Sequence, residues 1–268
     1  MRFLSLVIAV VLSVGAYAQT PARTWTEPRT GLTFVWIPKG CFQMGTDEKI
    51  APQGDILWVH LGAERDFAYD EHPSHEVCVD GFWIAKTETR QSDWHKVMAS
   101  KSESKTPNIP VTDVTWAQAR AFADRLSSTS GNQYRFRLPT EAEWEYACRA
   151  GATTEPLPVQ QEAADRAWYN KNENRKAQPR EVAKLAPNAF GLHDMLGNAW
   201  EWVEDVYATD AYSRHALHNP RSEGTAESRV IRGGSHRSES NNIRCANRGS
   251  YPASEALRTV GFRLVRSE

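Results

Sequence analysis

The sequence predicts a mixed α+β domain with little regular structure, and three observations predict it. Residues 32–38 alternate Leu, Phe and Trp against Thr, Val and Ile, the period-two pattern of a half-buried strand. Thr115-Trp116-Ala117-Gln118 and Thr140-Glu141-Ala142-Glu143 are capping boxes. In each, a hydroxyl accepts a first-turn N–H while Gln or Glu reaches back to the cap, so each starts a helix. Residues 152–228 carry Pro, Asn, Gly and scattered aromatics with little periodicity. A stretch of that length inside a domain must be held by something other than ladders, such as metal ions.

The elements follow in order. Residues 19–30 are polar and contain Pro, a loose lead-in. Residues 32–38 form a strand, and 41–45 read as its hairpin partner. Residues 46–74 are a polar, Gly/Pro-interrupted loop, in which Trp58, His60, Phe67 and Tyr69 either cover a cleft or decorate a surface. Residues 75–87 are strand-like, with Val77 and Val79 on one face. Helices are expected over 90–100, after Thr89, then over 115–126 and 140–149.

Composition sets the bounds. The chain has 268 residues, 40% hydrophobic and 24% charged, the profile of an ordinary globular protein. A formal net charge of −1 argues against a nucleic-acid partner. Residues 1–18 read as a secretory signal: Arg2, an apolar stretch over 3–14 and the small-residue motif Ala16-Tyr17-Ala18. The apolar stretch is too short to span a bilayer. No Cys follows the cleavage site and no twin Arg precedes the stretch, so an unanchored periplasmic protein beginning near Gln19 is expected. Export favours disulfides among Cys41, Cys78, Cys148 and Cys245, with three pairings open.

Five segments then appear in a fixed order: FQMGT at 42–46, RLPTEAEWEYACRAG at 137–151, PNAFGLHDMLGNAWEW at 187–202, RVIRGGS at 229–235 and GFRLV at 261–265. Together they resemble the formylglycine-generating enzyme, or sulfatase-modifying-factor, domain over residues 31–266. The resemblance implies a single compact α+β domain of C-type-lectin-like architecture. It implies a Cys148–Cys245 disulfide; Cys41 and Cys78, left over in neighbouring expected strands, are then placed to form a second. It implies structural calcium at Asp194, Gly197, Ala199 and Glu201, where carboxylates and inward carbonyls supply the oxygens the ion prefers. A second, looser calcium match falls on Asn170, Lys171, Asn174 and Lys176.

One departure from the family pattern decides the chemistry. Formylglycine generators hold Cu(I) with two thiolates after the RGGS segment, and soft Cu(I) needs soft ligands. Here that segment is short, and Ser240 stands five positions before Cys245, where one thiolate belongs. Copper and formylglycine formation are therefore not expected. What remains is a polar cleft with Ser235, His236 and Glu239 as catalytic candidates and Trp200, Asn198 and Arg248 as substrate-binding ones. His236 or Glu239 would move a proton, Trp200 would stack and Arg248 would orient an anion. The pairs His72/His75 and His215/His218 lack a nearby third ligand, and no GxSxG elbow is present, so neither mononuclear-iron nor Ser/His/Asp chemistry is expected. Two functions stay open. One is a monomeric, exported oxidase or tailoring enzyme acting on a small molecule or peptide, as in the cysteine-less branch of the family that matures the pyoverdine siderophore chromophore. The other is a non-catalytic, calcium-stabilised binding or accessory protein.

Overall fold

Alternation along three strands builds the interior. The computed structural model describes residues 23–48, 68–99, 105–152, 166–170 and 178–267. A five-stranded antiparallel sheet has the order β1 (Thr24–Thr26), β2 (Thr33–Ile37), β5 (Phe82–Ala85), β11 (Val265–Ser267), β6 (Arg135–Arg137). Val35, Ile37, Phe82 and Ile84 face one apolar cluster with Trp144, Met195 and Val203. Phe34, Trp83 and Ala85 face a second with Phe122, Trp202 and Phe262. The two clusters share β2, β5 and the strand Trp200–Val206, so they are opposite faces of the same sheets. The second sheet has the order β10 (Val260–Gly261), β7 (Trp200–Val206), β8 (Ser228–Arg232), β9 (Arg248–Pro252), with β10 and β7 parallel and the other pairs antiparallel. This mixture of mainly antiparallel sheets with three α-helices among the described residues is the α+β class the sequence predicts.

The helices are α1 (Gln91–Met98), α2 (Trp116–Thr129) and α3 (Glu141–Arg149). Both expected capping boxes close: Thr115 accepts from the Gln118 N–H, and Thr140 accepts from the Glu143 N–H. Helix α1 starts one residue later than expected, with Arg90 as its cap and Asp93 bonding back to it. No helix among the described residues is long and apolar enough to cross a membrane. Residues 1–18 lie outside the described residues.

Three expectations are corrected. The lead-in is partly a strand: Trp25 of β1 packs on Phe34, Tyr134 and Phe136, and Glu27 accepts the N–H and hydroxyl of Thr30. The 41–45 segment is not the hairpin partner of β2. It forms β3 (Gly40–Met44), which pairs with β4 (His75–Val79) in a separate two-stranded sheet, while β5 takes the edge of β2. The stretch over 152–228 contains the seven-residue β7, whose Trp202 and Val203 feed the two clusters on opposite faces.

Both expected disulfides are present. Cys41 and Cys78 sit directly opposite each other on β3 and β4, with Cα atoms 3.9 Å apart. Cys148, at the end of α3, joins Cys245 just before β9 with Cα atoms 5.7 Å apart. The second bridge spans 97 residues of sequence, and restricting so long a loop in the unfolded chain stabilises the fold by about 4 kcal/mol. A Cys148→Ser/Cys245→Ser double variant is therefore expected to lose about 4 kcal/mol in urea unfolding. A loss under ~1 kcal/mol would show that the bridge constrains little.

Candidate functional site

The GNAWEW turn is made by backbone conformations that few residues accept. Asp194, Gly197 and Asn198 all have positive φ, at 55°, 79° and 58°, and Asn and Asp tolerate this region better than bulkier residues. Gly197 has a second reason: a Cβ there would collide with the Trp168 carbonyl. The close approach lets the turn bond on two sides. The Gly197 N–H donates to the Gly233 carbonyl at 2.8 Å, and the Asn198 N–H to the Trp168 carbonyl at 2.7 Å. The RGGSH turn answers: both the His236 N–H and its Nδ1 approach the Asn198 carbonyl, at 2.9 and 2.8 Å. A carbonyl only accepts, so Nδ1 carries the proton and Nε2 is the basic nitrogen of the neutral ring.

Ser235, His236 and Asn198 are thus brought together, but each is buried and engaged. Asn198 accepts the Arg180 N–H at 2.8 Å and donates to Glu88 at 3.0 Å. The Ser235 hydroxyl accepts the Arg237 N–H at 3.2 Å. Trp200, half-buried, lies against the second apolar cluster. Glu239 alone is exposed, and it accepts from the Asn170 side chain at 3.1 Å.

The anion-orienting role expected of Arg248 is corrected. Its guanidinium is buried and bonds Glu141 at 2.7 and 3.0 Å and the Asp70 carbonyl at 2.7 Å. Glu141 also receives Arg232, and Arg232 reaches Glu145 and the carbonyls of Cys245 and Ala246. The adjacent Asp205 accepts the N–H groups of Glu141 and Ser222, each at 2.7 Å. Burial, then the neighbouring Glu141 charge, push the Asp205 carboxyl up to about 7.

Calcium can be tested on the residues present. Glu201 departs from its expected role: it takes Arg263 in a two-pronged pair, both contacts 2.7 Å, and the Trp144 indole N–H at 2.7 Å. Asp194 fits. One of its oxygens accepts the Ala183 N–H at 2.7 Å, while the other, Oδ1, is buried with no hydrogen-bond partner. Glu88, missed in the sequence, supplies a third buried carboxylate and accepts the Ala199 N–H at 3.2 Å. Burial, then Asp194 and Glu201, push the Glu88 carboxyl well above its usual range, and burial also raises Asp194. Three carboxylates thus face one guanidinium, Arg263. No group of three or more His, Cys, Asp or Glu side chains poised for a metal occurs among the described residues. A cation here would therefore rest on Asp194 Oδ1 and the expected carbonyls of Gly197 and Ala199, since the Asn198 and Asp194 carbonyls already accept from His236 and Arg263. Of the second expected site, Asn170 is engaged with Ser238 and Glu239, and Lys171, Asn174 and Lys176 lie outside the described residues.

Comparison with known proteins places this geometry. The chain matches the sulfatase-modifying factor enzyme 1-like domain over residues 20–268. It belongs to this family. The formylglycine-generating enzyme of Streptomyces coelicolor is 31% identical over 80% of this chain and 65% of its own length. A serine/threonine-protein kinase pkn1 of Chlamydia pneumoniae is 33% identical over 90% of this chain but 39% of its own length. The chain thus spans less than two thirds of either relative. The solved structure of PvdO from Pseudomonas aeruginosa shares the fold, with a TM-score of 0.76 at 24% identity, covering 94% of this chain and all of that one. Variable protein 1 of Treponema denticola shares it too, with a TM-score of 0.70 at 24% identity over 92% of this chain and 99% of its own.

For this sulfatase-modifying-factor domain the excess of buried carboxylate gives a direct test. A chelator is expected to lower the melting temperature of calcium-loaded protein by roughly 5 °C or more. Asp194→Ala is expected to remove the response; equal melting curves with and without chelator in the native protein would contradict it.

Proposed function

We propose that this protein is an exported, calcium-stabilised sulfatase-modifying-factor domain that tailors a small molecule or a peptide and does not generate formylglycine. The observation that carries the reading is the state of its thiols. All four cysteines are in disulfides, with none free, and Ser240 begins a 3-10 turn where the resemblance calls for a thiolate. A hydroxyl does not replace a thiolate on Cu(I). The leading signal-like segment and the two disulfides both suit an oxidising compartment, the periplasm.

The chemistry is assigned to the RGGSH turn and the residues after it, where His236 is buried and Glu239 is exposed. His236 is the candidate base, its ring oriented by the Nδ1 contact to the Asn198 carbonyl. Glu239 is the exposed carboxylate, steadied by Asn170, and accepts or returns a proton as substrate is oxidised. For a dihydro precursor the proposed step removes two hydrogens from the substrate and reduces O₂ to H₂O₂. A second reading, a binding or accessory protein for a periplasmic enzyme or assembly, is favoured by the engagement of Asn198, Ser235 and Arg248 in the fold, which leaves few groups for chemistry.

Two substrates separate the readings. A CxPxR-type peptide incubated with protein, copper and O₂ is expected to yield no aldehyde. A dihydro-chromophore precursor with O₂ is expected to oxidise, and Glu239→Gln to slow this by roughly 100-fold. Aldehyde formation would overturn the proposal; binding of the precursor without turnover would favour the accessory reading.

A further inference from the structure

Away from that turn, two histidines and a serine from distant parts of the chain form a continuous chain of hydrogen bonds at the edge of a cavity. The Ser222 hydroxyl lies 3.2 Å from His215 Nε2. His215 Nδ1 lies 3.1 Å from His75 Nε2. His75 Nδ1 lies 3.0 Å from the Pro73 carbonyl. With both rings neutral, the Pro73 carbonyl orders the protons in turn. It accepts from His75 Nδ1, so His75 Nε2 is unprotonated and accepts from His215 Nδ1. His215 Nε2 is then the basic nitrogen and receives the Ser222 O–H. A histidine so ordered beside a hydroxyl, with a third group orienting it, is the arrangement that activates a serine nucleophile.

The parts are held firmly. The Ser222 N–H donates to Asp205 at 2.7 Å and its carbonyl accepts the Val206 N–H at 2.9 Å. His75 sits on β4, whose neighbour β3 is tied to it by the Cys41–Cys78 bridge. The rings of His75 and His215 both pack on Tyr212, with centroids 5.0 and 5.2 Å from it. Ser222 and His215 line a cavity of 510 Å³. Its walls include Val206, Ala208, Ala211, Ala216 and Pro220. At its rim, Arg214 and Arg221 are already paired, with Asp210 and Glu223. With both rim arginines already paired, the cavity suits an uncharged acyl group rather than an anion.

We propose that Ser222 is the nucleophile of an acyl-transfer site for small, uncharged carboxylic esters, with His215 as its general base and His75 as the positioning residue. The Ser222 oxygen attacks the ester carbonyl carbon and its proton passes to His215 Nε2. The carbon–oxygen bond to the alcohol breaks, and His215 returns the proton to the departing alkoxide. Water then attacks the acyl-serine, gives a proton to His215, and the acid leaves as that proton restores Ser222. The Glu223 N–H, one residue beyond the nucleophile, has no acceptor among the described residues and is the candidate donor to the oxyanion. This site uses none of the residues assigned to the oxidation above.

The groups facing His215 predict its pH behaviour. Burial lowers its pKa to about 4, against the pull of Glu141 and Glu145 from α3 and with the push of His75 from β4 and Arg248 from β9. The basic, neutral ring therefore prevails above pH 4 and is lost as pH falls through that value. An unperturbed histidine would lose it near pH 6.5.

The test is phosphonylation by a fluorophosphonate probe, in which the Ser222 oxygen–phosphorus bond forms and fluoride leaves. Peptide mass mapping is expected to place the adduct on Ser222, and Ser222→Ala is expected to abolish both the adduct and hydrolysis of p-nitrophenyl butyrate. His215→Gln should slow labelling by roughly 100-fold or more. The rate in the native protein should hold from pH 8 to 5 and halve near pH 4, and His75→Gln should move that midpoint upward. If His215→Gln fails to fold, the native pH midpoint and the adduct position carry the test. Absence of label on Ser222 in folded protein, or a midpoint near 6.5, would overturn the proposal.

Discussion

Two arginines of the second sheet, Arg232 and Arg248, paired in the interior with Glu141 and Glu145 of α3, hold the rest of the structure in place. All four side chains are buried. Their remaining donors and acceptors reach outward to main chain that no ladder holds: Gly45 through Glu145, Asp70 and Ala208 through Arg248, Cys245 and Ala246 through Arg232. Burying such charges is costly, and breaking one pair strands the other member in a low-dielectric interior at about 3–5 kcal/mol. The network is therefore a specification of geometry: helix, sheet and three loops must all be in register before any of the charges is compensated.

A second buried charge group behaves differently, and the contrast carries the functional reading. Around the GNAWEW turn, Glu88, Asp194 and Glu201 face one guanidinium among the described residues, Arg263, with one Asp194 oxygen unbonded. The first group closes on its own; the second is short of positive charge, which a hard cation or a proton on Glu88 would supply. Near the first group, Asp205 relieves the crowding another way, by binding its proton up to about pH 7. Its two N–H partners place the backbone of Ser222 and the start of α3, so a structural carboxylate also sets the position of a reactive hydroxyl.

Sequence signals agree with the structure where the physics is local. The alternation of β2, the boxes at Thr115 and Thr140, and the cysteines of β3 and β4 all act within a few residues or across one strand pair. Likeness of the ordered segments to a known family supplied the rest of the fold. What escaped was convergence from afar. Glu88 meets Asn198 across 110 residues, and His75 meets His215 across 140; no spacing rule reports such contacts. The pairs His72/His75 and His215/His218 show only an i, i+3 spacing in the sequence, whereas His75 finds its partner in His215. The sequence suggests a ligand-facing cation at Arg248 because the resemblance puts its segment near the cleft. The buried Glu141 at the first turn of α3 was the only clue to its real partner, and a first-turn Glu is ordinarily a solvated cap.

The central claim is that Arg248 and Glu141 serve the fold. A double-mutant cycle of Arg248→Met and Glu141→Gln, followed by urea unfolding, tests it most directly. The account predicts that each single change costs about 3–5 kcal/mol and that the pair costs clearly less than their sum. Singles that leave stability within ~0.5 kcal/mol, and add without coupling, would contradict it and return Arg248 to the cleft.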